Sequence, residues 1–325
     1  MKIFITGGTG FIGRHTTELL GKTNHQLNLL VRKTSDTSFL KYQNALKVFG
    51  DITDKQSVFN GMKGYDSVIN IAAHYTFWEP DKSIYSKVNI GGTKNVMECA
   101  SELGIKKIVH VSTAGIYGNT KDKPFNEESA VGTTQYSEYF KTKYEGDKIA
   151  WKLYNQKKLP LVVIYPVAVL GAGDNKASGK YIQDLINRRL PATVFKNGNF
   201  AFVYVKDVAQ AIVNALEKEN NIGEKYLVGN FNYKWGEINK MISELSNVPL
   251  PMFSLPDSVT MINAFFLTGL ANLIKKPPVW GMALDQMKVM KAGFNVDGSK
   301  TERELGIKYT PIRLALKEAI DSFNK

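Results

Sequence analysis

The first thirteen residues constrain the fold of this chain more than any other stretch. Lys2 to Ile5 read as a short apolar strand. Thr6 to Gly13 carry Gly7, Gly8, Gly10 and Gly13 within one turn, and Phe11 to Leu20 have the apolar spacing of a helix. A glycine turn between a strand and a helix lets the backbone come close to a phosphate. The helix N-terminus then presents free N–H groups and the positive end of its dipole to the anion. The segment parses as GxGxxG from Gly8 and as TGxxGxxG from Thr6. Glycine spacing alone is weak; between a strand and a helix it has the context a phosphate turn requires.

The first two-thirds of the chain alternate strands and helices in the same way. Strands are predicted at Lys2–Thr6, Leu27–Val31, Lys47–Phe49, Ser67–Ile71, Lys107–Val111 and Leu161–Tyr165. Helices are predicted at Phe11–Gly21, Lys55–Met62, Ser83–Leu103 and Tyr136–Gln156. Strands separated by helices imply a doubly wound parallel sheet covered on both faces, with ligands at the carboxyl ends of its strands. The glycine turn, Arg32, Asp51, Ala72, Ser112 and Pro166 all fall just after strands, so they gather along one edge. Beyond Pro166 the pattern becomes mixed and broken by prolines. Phe200–Val205 reads as a strand, and Lys206–Leu216 and Thr310–Phe323 read as helices. The C-terminal third is expected to form a smaller mixed α/β substrate lobe.

Composition narrows the function classes. The 325 residues are 43% hydrophobic and 22% charged, ordinary for a globular protein with a large core. The single cysteine, Cys99, forms no intramolecular disulfide, and no zinc-type spacing occurs. His15, His25, His74 and His110 are too dispersed to argue for a metal. The formal charge of +12 is scattered, with no basic arm, so nucleic acid is not the expected partner. No signal peptide or span-length apolar stretch is read, and a cytoplasmic enzyme is the expectation. Val259–Ile274 is the most apolar segment; interrupted by polar residues and ending at Lys275–Lys276, it reads as an amphipathic helix. A peripheral membrane or lipid contact through 259–276 is a weaker expectation.

Two further motifs add chemistry. Ser112 and Thr113 follow the fifth strand, and Tyr139 and Lys143 stand at i and i+4 on one face of the following helix. With this order of motifs the chain resembles the extended short-chain dehydrogenase/reductase family, and within it the dihydroflavonol-reductase and 3β-hydroxysteroid-dehydrogenase-like branch. The resemblance runs nearly end to end. It includes Gly50–Asp54, Asn70–Ala73, Val88–Val96, Pro166–Gly171 and Val203–Ala209.

The resemblance implies a Rossmann-type dinucleotide-binding domain over 1–166 and a mainly substrate-binding lobe over 167–325, with some segments returning to the first. It makes Tyr139 the general acid or base. A free phenol, with a pKa near ~10, is a poor one at neutral pH; Lys143 would favour the phenolate and hold the nicotinamide ribose. Thr113, or less strongly Ser112, would hydrogen-bond the substrate oxygen. Asn89 either orders the active-site side or caps its helix. The cofactor residues implied are Gly7, Gly10, Phe11, Ile12, Gly13, Arg32, Lys33, Asp51, Ile52, Ala72, Ala73, Lys143, Tyr165, Pro166 and Val169. NAD-selective sites place an acid at the end of the second strand; here that position is Val31, and Arg32 follows it. A cation there pairs with a 2′-phosphate, so NADP(H) is expected, with Lys33 or Ser35 assisting.

The substrate pocket is expected to include His74, Tyr75, Trp78, Ala114, Tyr117 and Val167. The aromatic loop His74–Trp78 and the segment Val259–Ile274 suggest a bulky apolar ketone, aldehyde or matching alcohol. A nucleotide-sugar epimerase or dehydratase with bound NAD shares these motifs, but no acidic residue flanks Thr113. A non-catalytic cofactor-binding protein is a further alternative. The family pattern also implies a homodimer across the two long helices.

Overall fold

A computed structural model describes residues 1–41, 44–121 and 123–323. The first half of the chain runs β1 (Lys2–Thr6), α1 (Phe11–Leu20), β2 (Gln26–Val31), β3 (Ala45–Phe49), α2 (Lys55–Met62) and β4 (Ser67–Asn70). A helical rod follows: α3 (Ser83–Tyr85), a π-helical stretch Ser86–Gly92, and α4 (Thr93–Glu102). Then come β5 (Lys107–Val111), a 3-10 turn Ala114–Tyr117, α5 (Glu138–Lys157) and β6 (Leu161–Pro166).

The strands form the expected parallel sheet, in the order β3-β2-β1-β4-β5-β6-β9. Its central strands are buried throughout: Ile3 to Ile5, Val68 and Ile69, Ile108 and Val109, and Leu161 to Ile164 are without exposure. Continuous apolar runs of this kind require helices on both faces. The α1 helix packs on α7, while α2, α4 and α5 pack side by side. Strand order reverses between β1 and β4, which opens a crevice at the carboxyl ends of the sheet.

The remainder comprises β7 (Ala168–Leu170), α6 (Ala177–Ile186), β8 (Asn199–Tyr204), α7 (Val205–Glu217), β9 (Lys225–Val228), β10 (Phe231–Lys234), α8 (Trp235–Ser246), α9 (Asp257–Ile274), α10 (Leu284–Ala292), α11 (Ser299–Leu305) and α12 (Ile312–Phe323). β9 pairs with β6 in the large sheet. The other three strands make a small mixed sheet, β10-β8-β7, with its own apolar core of Phe200, Phe202, Trp235, Ile238 and the inner face of α12.

Two helices differ from expectation for physical reasons, and a third shows an unusual outer face. Ser83–Leu103 is not one uniform α-helix; its middle widens into the π-helical turn that carries Asn89. α5 starts at Glu138, because the Ser137 hydroxyl accepts the Phe140 N–H at 3.2 Å and caps the helix. α9 forms where the apolar segment predicts a helix. Its small residues Thr260, Ala264 and Ala271 face the protein, and its large apolar side chains face outward.

Candidate active site

The glycine turn is built for close approach. Gly7 has φ +72°, and a Cβ there would lie 2.5 Å from the Ala72 nitrogen. A Cβ on Gly13 would lie 2.0 Å from the Gly7 carbonyl oxygen, so α1 packs against the turn only because Gly13 has no side chain. On Gly10 a Cβ would meet only the Gly7 oxygen, at 3.4 Å, because that position faces open space. No side chain caps α1, and its first turn has no acid. Its terminal N–H groups are therefore free to meet an anion.

The turn forms one end of a cleft of about 770 Å³ along the carboxyl edge of the sheet. Gly7, Gly10, Phe11, Ile12 and Gly13 line it from the turn, and Arg32 and Ser35 from the end of β2. Asp51 and Ile52 after β3, Ala72 and Ala73 after β4, and Pro166 and Val169 beside β6 and β7 complete this end. Val31 is buried and brings no acid, while Arg32 is exposed, its N–H donating to Ser35 Oγ at 3.2 Å. Arg14, which spacing alone did not single out, lies in the same wall and pairs with Asp36 at 2.9 Å. Hydrogen bonds from Ser38, and then the Arg14 guanidinium, hold the Asp36 carboxyl at about 2. The glycine cradle, uncapped helix and exposed guanidinium fit a dinucleotide with its diphosphate on α1 and its adenosine end toward β2.

At the other end stand Ser112, Thr113 and Tyr139. The Thr113 hydroxyl accepts the Gly115 N–H at 3.2 Å, which leaves its own proton to donate. The buried Ser112 hydroxyl has no hydrogen-bond partner among the described residues. Tyr139 packs its ring 4.9 Å from that of Tyr75, and burial pushes its phenol pKa up. Lys143 is buried one turn further along, and its ammonium donates to the Val111 carbonyl at 2.9 Å. Burial pulls its pKa from 10.5 down to about 8, against the opposing charge of Asp147.

Behind this end runs a buried polar chain. Thr6 Oγ1 lies 2.6 Å from Asn70 Oδ1, and Asn70 Nδ2 lies 3.0 Å from His110 Nδ1. His110 Nε2 lies 3.3 Å from Asp147 Oδ1, without full hydrogen-bond alignment. The chain thus links the glycine turn to the helix that carries Tyr139. Asn89 makes a second link: its Oδ1 accepts the His74 N–H at 2.8 Å, and its Nδ2 donates to the His74 carbonyl and to Thr142 Oγ1. It therefore orders the active-site side rather than capping a helix.

His74, Tyr75 and Val167 line the cleft as expected for substrate contacts. Other expected residues are placed elsewhere. Trp78 leaves the cleft and donates its indole N–H to Asn272 Oδ1 of α9 at 2.9 Å. Ala114 is buried inside the 3-10 turn. Tyr117 faces backward, stacking on Phe125 with centroids 4.8 Å apart. Tyr165 also points away from the cleft, toward a separate cavity of about 490 Å³ behind α5, and accepts a hydrogen bond from Trp151. Lys33 is exposed and off the wall. Phe265 and Phe266 of α9 face outward. The apolar wall of the cleft comes from the small sheet and its helices: Phe200, Phe202, Trp235, Met290 and Phe294. Their alternation in β8 marks a strand, but nothing local assigns it to the cleft.

Residues 3–229 match the family model described as NAD dependent epimerase/dehydratase family. The chain is 28% identical to a "Putative dihydroflavonol 4-reductase" of Synechocystis, over 98% of this chain and 94% of that protein. It is 26% identical to "Sterol demethylase protein B" of Methylococcus capsulatus, over 100% of this chain and 99% of that one. Among solved structures, gox2253 superposes with a TM-score of 0.85 at 30% identity, covering 99% of this chain and 97% of that one. The chain belongs to the NAD dependent epimerase/dehydratase family, the extended short-chain dehydrogenases and reductases.

Proposed function

With that membership as the premise, we propose that the chain is an NADP(H)-dependent oxidoreductase. It reduces the ketone or aldehyde of a bulky, largely apolar small molecule, or oxidises the matching alcohol. The observation that carries this reading is the single cleft in which Tyr139 and Thr113 stand at one end and the glycine turn with Arg32 at the other. A bound nicotinamide dinucleotide supplies or accepts the hydride. The chain's own residues do the rest. The α1 N-terminus and the turn bind the diphosphate, and Arg32 meets the 2′-phosphate, with Ser35 and Arg14 beside it.

Thr113 keeps its proton and donates a hydrogen bond to the substrate oxygen. Tyr139 delivers a proton to that oxygen as charge builds on it. The raised phenol pKa keeps the side chain protonated at neutral pH, which suits the reductive direction. Lys143, one turn along the same helix, braces the base of the site against the end of β5. Tyr75, Phe77, Phe200, Phe202 and Trp235 exclude water and favour an apolar ring system. The names of the relatives, a dihydroflavonol reductase and a sterol demethylase protein, point to fused-ring substrates of that kind. A homodimer through α4 and α5 and a cytoplasmic location complete the reading; gel filtration and cell fractionation test them.

The decisive experiment identifies the nucleotide released on denaturing the purified protein, alongside NADPH and NADH titrations. Preferential NADPH binding supports the reading. NAD retained through gel filtration replaces it with an epimerase or dehydratase.

A further inference from the structure

A concentration of exposed large apolar side chains is found outside the cleft. The α9 helix shows solvent Phe265, Phe266 and Leu273, which are 62%, 67% and 80% exposed, together with Ile262 and Leu270. A surface helix ordinarily turns such residues inward and its small or polar residues outward. Here the order is reversed, with Thr260, Ala264 and Ala271 buried. The chain segments that flank the helix also expose large apolar side chains, Met252 and Phe253 before it and Val279 and Trp280 after it. A cluster of large exposed apolar side chains on one helix marks an interaction face rather than ordinary surface.

We propose that this face docks on an anionic lipid bilayer, with α9 lying in the plane of the interface. Charge complementarity selects the partner. The segment from Met252 to Leu284 holds one acid, Asp257, and the helix runs into exposed Lys275 and Lys276. Neither lysine has an acidic partner among the described residues. The chain as a whole carries +12. An apolar face, flanking cations and an exposed tryptophan beside them match the pattern of helices that rest among lipid headgroups.

The same helix is long and apolar enough to cross a bilayer, but its inner side is fastened to the body. Thr268 Oγ1 accepts the Leu284 N–H at 2.8 Å, and Asn272 Oδ1 accepts the Trp78 indole at 2.9 Å. A spanning orientation would strip both bonds in a medium that cannot replace them. Those two bonds also tie α9 to the walls of the cleft, since the Trp78 loop supplies Tyr75 and Phe77 and α10 supplies Met290. Docking therefore brings the cleft to the bilayer, where an apolar substrate concentrates. This last consequence rests on the proposed substrate class; the docking does not.

The test is flotation of the full chain with phosphatidylglycerol vesicles and with phosphatidylcholine vesicles. The protein is expected to float with the first and far less with the second. F266S/L273S removes two exposed side chains and is expected to lower partitioning on the order of 100-fold, about tenfold per side chain, with an unchanged melting temperature. K275E/K276E is expected to abolish the preference for the anionic lipid. Absence of flotation with either lipid overturns the proposal. So does a double serine variant that floats like the parent. So does a parent that never floats but loses self-association in that variant, which would make the patch a subunit interface. The assay needs neither cofactor nor substrate, so its failure leaves the oxidoreductase reading standing.

Discussion

Replacing Lys143 with methionine is expected to stabilise the folded protein while removing its activity. The Lys143 pKa falls from 10.5 to about 8 on burial. At about 1.4 kcal/mol per tenfold change in ionisation, holding the charge in the folded state costs roughly 3 kcal/mol at neutral pH. Methionine has similar length and removes that cost, but it leaves the Val111 carbonyl without its donor, a loss of about 1 kcal/mol. The net gain at pH 7 is about 2 kcal/mol. Below pH 8 the lysine is protonated in both states and the folded chain bears the full cost. Between about 8 and 10.5 the unfolded chain holds the proton and the folded chain does not, so the wild type gains stability as pH rises. The advantage of the variant should therefore shrink by about 2 kcal/mol between pH 7 and pH 9.5. Urea unfolding of both proteins at the two pH values measures this directly, provided the slopes agree. A variant less stable than the wild type at pH 7, or a gap that ignores pH, would refute the reasoning.

Other substitutions test the two ends of the cleft. Tyr139→Phe is expected to lower kcat by about 10² to 10⁴ and to leave NADPH affinity within about threefold, read by turnover and fluorescence titration. An unchanged kcat would remove Tyr139 from the chemistry. Arg32→Asp is expected to weaken NADPH by about 30- to 100-fold, through one lost charge-assisted contact, and NADH by less than about threefold. Equal losses would sink the 2′-phosphate assignment. Gly13→Ala would place a methyl group 2.0 Å from the Gly7 carbonyl oxygen. A loss of about 2 kcal/mol in stability, with no measurable nucleotide binding, is the expected outcome in denaturation and titration. A variant that binds nucleotide normally would show the turn to be looser than it is drawn here.

The nucleotide end of the cleft was legible because its residues are consecutive and their spacing carries the geometry. β1 was read at its observed bounds, Lys2–Thr6, and the glycines after it fall where the turn needs them. Pro166 and Val169 reach the cleft for a related reason, since the parallel sheet brings every strand end to one edge. The far wall was not legible. Its aromatic residues come from β8, α8 and the region of α10, and pairing with the short strands β7 and β10 sets β8 beside the cleft. Trp78, Tyr117 and Tyr165 show a second limit. Each lies within four residues of a cleft residue in sequence, yet its side chain turns to Asn272, Phe125 or Trp151. Where a side chain points at a strand end or in a 3-10 turn depends on packing partners, which adjacency does not encode. In α9 the periodicity identified a helix, but the direction its apolar face would take was set by the tertiary contacts of Thr268 and Asn272.

The buried links from Thr6 to Asp147 share one polarity. The Ala72 N–H faces Thr6 Oγ1 at 3.4 Å, the Thr6 hydroxyl donates to the Asn70 carbonyl, and the Asn70 amide donates to His110 Nδ1. That leaves the imidazole proton on Nε2, facing the Asp147 carboxylate. Turning over the Asn70 amide would oblige Thr6 and His110 to exchange donor and acceptor roles and would point a bare nitrogen at the carboxylate. The tautomer of a histidine at the end of β5 is thus written by an amide on β4 and read by a carboxylate on α5. Burial holds the ring neutral, so acid that forces a second proton onto it must break the Asn70 link first. That change would be felt at both ends of the buried links, at the turn after β1 through Thr6 and on α5 through Asp147.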